Sequence, residues 1–146
     1  MPICASTGPH LLSIPKFEAI KKTRSLLREL NILHIKNAKA YVLSGGERRR
    51  VEISRALATS PRFILLDEPF SGIDPLAIAD IKSIICHLKR KEIGVLLTDH
   101  NAREMLSIVD RTYIINQGNI IAAGLPEDIL CNEQARKIYF GDNFTL

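Results

Sequence analysis

The chain has 146 residues, 46% of them hydrophobic and 25% charged, with 20 Lys and Arg against 16 Asp and Glu. That length suits one domain, which would bury about 70% of the surface its unfolded chain exposes. A net charge of +4 is too mild and too dispersed to call for nucleic acid, and apolar runs such as residues 93–97 fall far short of the roughly 20 residues of a membrane span, so any membrane contact should be indirect.

Residues 1–15 hold Pro2, Pro9 and Pro15 with no helical or strand period, and read as an irregular lead-in without the basic start and long apolar core of a signal peptide. From Lys16 the pattern changes. Phe17, Ile20, Leu27 and Leu30 recur at helical spacing among Lys and Arg, predicting an amphipathic helix that ends near Asn31. Leu43-Ser44-Gly45-Gly46-Glu47-Arg48 then opens a second helix, which runs to about Thr59 and stops at Ser60-Pro61. A small hydroxyl residue followed by two glycines leaves backbone N–H groups that an anion can approach closely, at a helix end carrying roughly half a positive charge. The same residues also make an ordinary capping box, in which Ser44 and Glu47 satisfy the free N–H groups. The run Arg48-Arg49-Arg50 reads as a solvated helix face.

Residues 63–66, Phe-Ile-Leu-Leu, contain no polar side chain, as expected of a strand covered on both faces. Asp67 and Glu68 emerge at its carboxyl end, where open α/β sheets bind their ligands, and Pro69 ends the ladder pairing. Asp74 caps the next helix with Pro75 in its first turn, and Ile78, Ile81, Ile85 and Leu88 keep one face apolar as far as Lys91. Gly94 turns the chain into a second buried strand at 95–98, and Thr98-Asp99-His100 follows. Asn101 and Glu104 predict a short helix with Met105 and Val109. Residues 111–115 read as a third strand, paired through the turn Gln117-Gly118-Asn119 with residues 120–123. Two short helices follow, near 127–131 and 133–139. Tyr139, Phe140 and Phe144 are too apolar for a solvated tail, so the end of the chain should dock onto the domain or a partner. Cys4, Cys86 and Cys131 are odd in number and widely spaced, which argues against a disulfide framework and a zinc site and fits a reducing compartment.

Strands alternating with helices specify an α/β layered fold with a mostly parallel sheet. In their order and spacing the motifs resemble the ATPase subunits of ABC transporters. Leu43-Ser44-Gly45-Gly46-Glu47 is similar to the family's signature motif, residues 63–67 to its Walker B strand, Glu68 to its catalytic carboxylate, residues 71–74 to its D-loop and His100 to its switch histidine. The likeness runs from about Ala19 to Leu146. Within the family the pattern is nearest the cytoplasmic ATPase of lipopolysaccharide export, on Gly46-Glu47-Arg48-Arg49-Arg50-Val51-Glu52-Ile53, Thr98-Asp99-His100-Asn101 and the aromatic tail from Tyr139.

The resemblance implies a P-loop NTPase-like fold with ATP and Mg²⁺ as cofactors. Asp67 would help to hold Mg²⁺ through its water shell, Glu68 would activate the attacking water and His100 would contact the γ-phosphate. Ser44, Gly45, Gly46 and Glu47 would face the ATP of a second ATPase subunit, with Ser71, Gly72 and Asp74 beside them in the D-loop. It also implies transmembrane permease partners, no direct nucleic acid, and a place on the inner face of the cytoplasmic membrane.

No Gly-x-x-x-x-Gly-Lys-[Ser/Thr] occurs in the chain, so a Walker A lysine and its N–H cradle are missing, as is a glutamine loop. The expectation is therefore the carboxy-terminal part of a longer subunit: lead-in at 1–15, end of a helical subdomain at 16–42, ATPase portion at 43–146. In the family the phosphate-loop strand lies between those at 95–98 and 112–116. Its absence should open a gap with exposed strand edges and leave the chain alone poorly stable, or else the sheet should close up. ATP turnover should fail unless a separately encoded Walker A half joins it. The competing expectations are a non-enzymatic remnant and a DNA- or ribosome-associated relative; the latter would be expected to bring coiled-coil heptads or a second cassette, neither of which is present.

Overall fold

The computed structural model describes residues 15–140. The chain forms two compact units that meet in sequence at Asp99 and His100. Among the described residues no helix is long and apolar enough to cross a membrane, and Cys86 and Cys131 are free thiols.

The first unit runs α1 (Lys16–Glu29), two 3₁₀ turns at Leu33–Ile35 and Ala40–Val42, α2 (Gly45–Leu57), β1 (Phe63–Asp67), α3 (Pro75–Arg90) and β2 (Gly94–Thr98). β1 and β2 pair in parallel, from Phe63 opposite Gly94 to Asp67 opposite Thr98. A parallel pair cannot be joined by a tight turn, and α3 is the crossover between them. Its buried face is Ala77, Ile81, Ile84, Ile85 and Leu88, a helical repeat; Ile78 lies at the edge of that face, half-buried. Ile53 and Leu57 of α2, Ile64 and Leu66 of β1, and Phe70 are also buried, and α3 packs on both α2 and β2.

Some elements are less covered than their composition predicts. Ile64 and Leu66 share one side of β1 and are buried, whereas Phe63 on the other side is 45% exposed and Leu65 half-buried. β2 has no fully buried residue. The reason is the size of the sheet: the parallel part has two strands, and β2 has only β1 as a strand partner among the described residues. The apolar stripe of α1 is likewise open, with Phe17 77% and Ile20 54% exposed. What anchors this segment is Leu30 and Ile32, both buried, just past the helix end, where Asn31 takes a positive φ of 55° and breaks the helix.

The second unit contains α4 (Ala102–Leu106), the hairpin β3 (Thr112–Asn116) and β4 (Asn119–Gly124), α5 (Pro126–Cys131), α6 (Glu133–Ala135) and a π-helical turn at Arg136–Phe140. Val109 falls outside α4. Gln117 and Gly118 have φ of 48° and 79°, the two positive values that suit a two-residue hairpin loop. Ile114, Ala122, Ile129 and Ala135 form the core, with Phe140 packed against it. Docking of the aromatic end is thus realised at Phe140; Phe144, like residues 1–14, lies outside the described residues.

Candidate functional site

Asp67 is exposed at the carboxyl end of β1, and its Oδ1 accepts the Thr98 hydroxyl at 2.7 Å across the last registered pair of the ladder. One residue on, the Glu68 N–H donates to the Thr98 carbonyl at 2.8 Å. The chain then leaves the sheet abruptly, because Glu68 adopts φ 45°, a left-handed conformation that non-glycine residues seldom take. Its carbonyl is held twice: by the Ser71 N–H at 3.2 Å, which closes a turn, and by Nη2 of Arg49 at 2.9 Å. The Phe70 N–H donates to Oδ2 of Asp99 at 2.9 Å, and Pro69 and Phe70 are buried beneath. The turn carrying Glu68 is therefore fastened to α2 on one side and to the end of β2 on the other.

The start of α2 is a complete capping box. The Glu47 N–H donates to the Ser44 hydroxyl, and the Ser44 N–H and hydroxyl donate to Oε2 of Glu47 at 2.9 and 2.8 Å. The Ser44 N–H, its hydroxyl and then the nearby His34 hold the Glu47 carboxyl below the usual glutamate range. Ser44 and Glu47 thus cap the helix as the capping-box reading expects, and the first N–H groups of Gly45 and Gly46 have no intrahelical acceptor.

The glycines have a second, intramolecular reason. Gly46 is buried, and a Cβ built on it would lie 2.8 Å from Cβ of Ala77 in α3; one on Gly45 would lie 3.0 Å from Cγ2 of Ile73 and 3.2 Å from the Gly72 carbonyl. Close packing of the helix start onto residues 72–77 thus calls for glycine at position 46 and leaves little room for a side chain at 45. In that facing segment Gly72 has φ 69°, and Oδ1 of Asp74 caps α3 by accepting from the Ala77 N–H at 2.9 Å. Ser71 is half-buried with its N–H committed to the Glu68 carbonyl.

Ser44 to Glu47, Asp67, Glu68 and residues 71–74 all belong to the first unit, whereas His100 opens the second, exposed, its carbonyl accepting from the Ala102 N–H. Among the described residues no group of three or more His, Cys, Asp or Glu could hold a metal. The donor available at the strand end is the Asp67 carboxylate, a hard oxygen suited to Mg²⁺, an ion that keeps several waters and takes few protein ligands.

Sequence reasoning names Arg49, Glu52, Thr98 and Asp99 within motifs but gives none of them a contact at this site. The arginine run is a solvated face only at Arg48. The side chain of Arg49 is 16% exposed and bonds Glu52 as well as Glu68, and that of Arg50 is 15% exposed and pairs with Asp80 of α3. Advancing 100° per residue around α2 turns successive arginines to different neighbours, a signal the charge pattern alone does not carry.

Residues 7–71 match the model of the ABC transporter family. The lipopolysaccharide export system ATP-binding protein LptB of Haemophilus influenzae is 52% identical over 126 residues, 86% of this chain and 52% of that protein. The same-named protein of Escherichia coli K12 is 51% identical over 125 residues, 86% of this chain and 52% of that one. An ABC transporter ATP-binding cassette solved in its ADP conformation superposes with a TM-score of 0.80 at 33% identity, covering 91% of this chain and 54% of that one. The chain is thus a relative of the ATP-binding cassettes of ABC transporters and shares their fold. Among the proteins it resembles are the ATP-binding proteins of lipopolysaccharide export, and it spans about half the length of these curated relatives.

Proposed function

We propose that the chain provides the carboxylate and signature portion of an ABC-type ATPase that powers lipopolysaccharide export. The observation that carries this reading is the pair Asp67 and Glu68 at the open end of a parallel strand pair, in the same unit as the capped, glycine-opened start of α2. About 50% identity to lipopolysaccharide-export ATP-binding proteins supports the substrate class.

When bound, Mg²⁺–ATP supplies the electrophilic phosphorus and the diphosphate leaving group. Asp67 would hold a water of the metal's shell, with the Thr98 hydroxyl fixing one of its oxygens. Glu68 would accept a proton from the attacking water, a role whose benefit depends on direction as well as basicity. His100 would donate a hydrogen bond to a terminal phosphate oxygen. Ser44, Gly45, Gly46 and Glu47 would turn the positive end of α2 toward nucleotide held by a second ATPase subunit, with Ser71, Gly72 and Asp74 lining the same approach. The rest of the assembly would be transmembrane permease subunits, with this chain on the inner face of the cytoplasmic membrane.

No Gly-x-x-x-x-Gly-Lys-[Ser/Thr] occurs in these 146 residues, so the reading includes a Walker A cradle supplied from outside them. The test is ATP hydrolysis by the purified chain, alone and co-expressed with a Walker A-bearing amino-terminal half of an LptB relative. The expected result is turnover only in the combination. A combination that assembles and binds ATP without turnover would replace this reading with a non-enzymatic role.

A further inference from the structure

We infer that Arg49 is a positioning residue for Glu68: its guanidinium, donating to the Glu68 main-chain carbonyl, fixes the left-handed backbone that aims the Glu68 carboxylate. The inference rests on the reading of Glu68 as the water-activating base, and it adds a residue outside the Asp67, Glu68 and His100 set.

Glu68 has φ 45°, a conformation that disfavours any side chain with a Cβ and persists only where neighbours over-determine it. Its N–H is fixed by the Thr98 carbonyl at 2.8 Å and the following turn by Asp99 through the Phe70 N–H. Those bonds restrain what lies on either side of the residue. The carbonyl itself is restrained by the Ser71 N–H at a long 3.2 Å and by Arg49 at 2.9 Å. Arg49 is the stronger of the two, since a charged donor makes a shorter and firmer bond than a neutral amide. With the N–H and the C=O of one residue both held, its Cβ direction is set, and with it the position from which the carboxylate reaches water.

The arginine is suited to the task because it is itself rigid. Nη1 donates to Oε2 of Glu52 at 3.0 Å, one turn along the same helix, and the side chain is only 16% exposed. The fork therefore has one arm on its own helix and one on the turn after β1. A lysine could reach the carbonyl with a single donor but could not bridge both acceptors in a fixed plane. Since α2 also presents the Ser44 capping box at its start, the helix that would face nucleotide at one end reaches Glu68 from its second turn.

The test uses the full chain, isotopically labelled, as Arg49→Met, which keeps an apolar stem and loses every donor, and as Arg49→Lys. The readout is the intraresidue amide-to-Hα cross-peak of Glu68, strong for a positive φ, with cross-strand contacts between β1 and β2 reporting the fold. The expected result is loss of the strong Glu68 cross-peak in Arg49→Met, its retention in Arg49→Lys, and unchanged strand pairing in both. In the complex with a Walker A-bearing half, Arg49→Met should lower kcat by about tenfold or more while KM for ATP changes by less than about threefold, with Arg49→Lys restoring much of the rate. A Glu68 cross-peak that survives in Arg49→Met would overturn the inference. So would loss of the strand pairing itself, since Arg49 would then hold the fold and not one residue. A Glu68→Gln complex that retained full turnover, with the cross-peak still lost in Arg49→Met, would remove the catalytic reading while leaving the conformational role standing.

Discussion

The hydroxyl of Thr98 donates to the carboxylate of Asp67 at 2.7 Å, tying the two strand ends together at the rim where ligand would enter. Asp67 and Thr98 are opposite each other in the parallel ladder, so register brings them together and no loop needs to be ordered for the contact. Thr98→Val keeps the β-branched shape and removes the donor. It should destabilise the chain by about 0.5–1.5 kcal/mol, the ordinary net value of a hydrogen bond, and toward the low end because both groups are exposed. In a turnover-competent complex it should also raise the Mg²⁺ concentration for half-maximal rate. Urea unfolding and a Mg²⁺ titration of rate measure the two effects separately.

Gly46→Ala tests the packing account of the signature glycines. The added methyl would stand 2.8 Å from Cβ of Ala77, closer than two carbons can approach, so α2 and α3 must separate. The expected cost is about 1–3 kcal/mol, as for other overpacked sites, measurable as a lower urea midpoint with an unchanged slope. Because this cost arises within one chain, it should be present with no nucleotide in solution.

Acid should loosen the attachment of α1. Burial acts to raise the Glu29 carboxyl, but hydrogen bonds from Lys91 and His87 and their charges outweigh it and hold the folded value below the ordinary 4.5. A carboxyl depressed in the folded state contributes stability that is fully present above its unfolded value and is lost as pH falls through the folded one. Stability should therefore be steady above about pH 4.5 and decline below it, and Glu29→Gln should flatten that decline while lowering stability near neutrality. Urea midpoints of both forms across that range provide the comparison.

The order of elements was legible because each has a local cause: Ser44, Asp74 and Asn101 as caps, the apolar repeat of α3, and the Gln117-Gly118 turn of the hairpin. Burial was less legible, because it depends on what lies opposite. Residues 63–66 are as apolar as a strand covered on both sides, yet Phe63 is open because the parallel sheet has two strands among the described residues. The placement of Asp67 at the strand end and of Glu68 just beyond it was legible in a short motif. Arg49 was not, since its acceptor is a main-chain carbonyl 19 residues away whose orientation follows from a positive φ. No side-chain pattern encodes that carbonyl, and a run of three arginines looks the same whether it faces solvent or a neighbouring turn.

The most direct measurement of the central claim is the steady-state ATPase rate of the chain combined with a Walker A-bearing half, compared with the same complex carrying Glu68→Gln. The substitution removes a proton acceptor and little else, and positioned general-base catalysis contributes about 10²–10⁴-fold. The account predicts a fall of that order with ATP still bound by equilibrium dialysis. Turnover at the parent rate in the Glu68→Gln complex would contradict it.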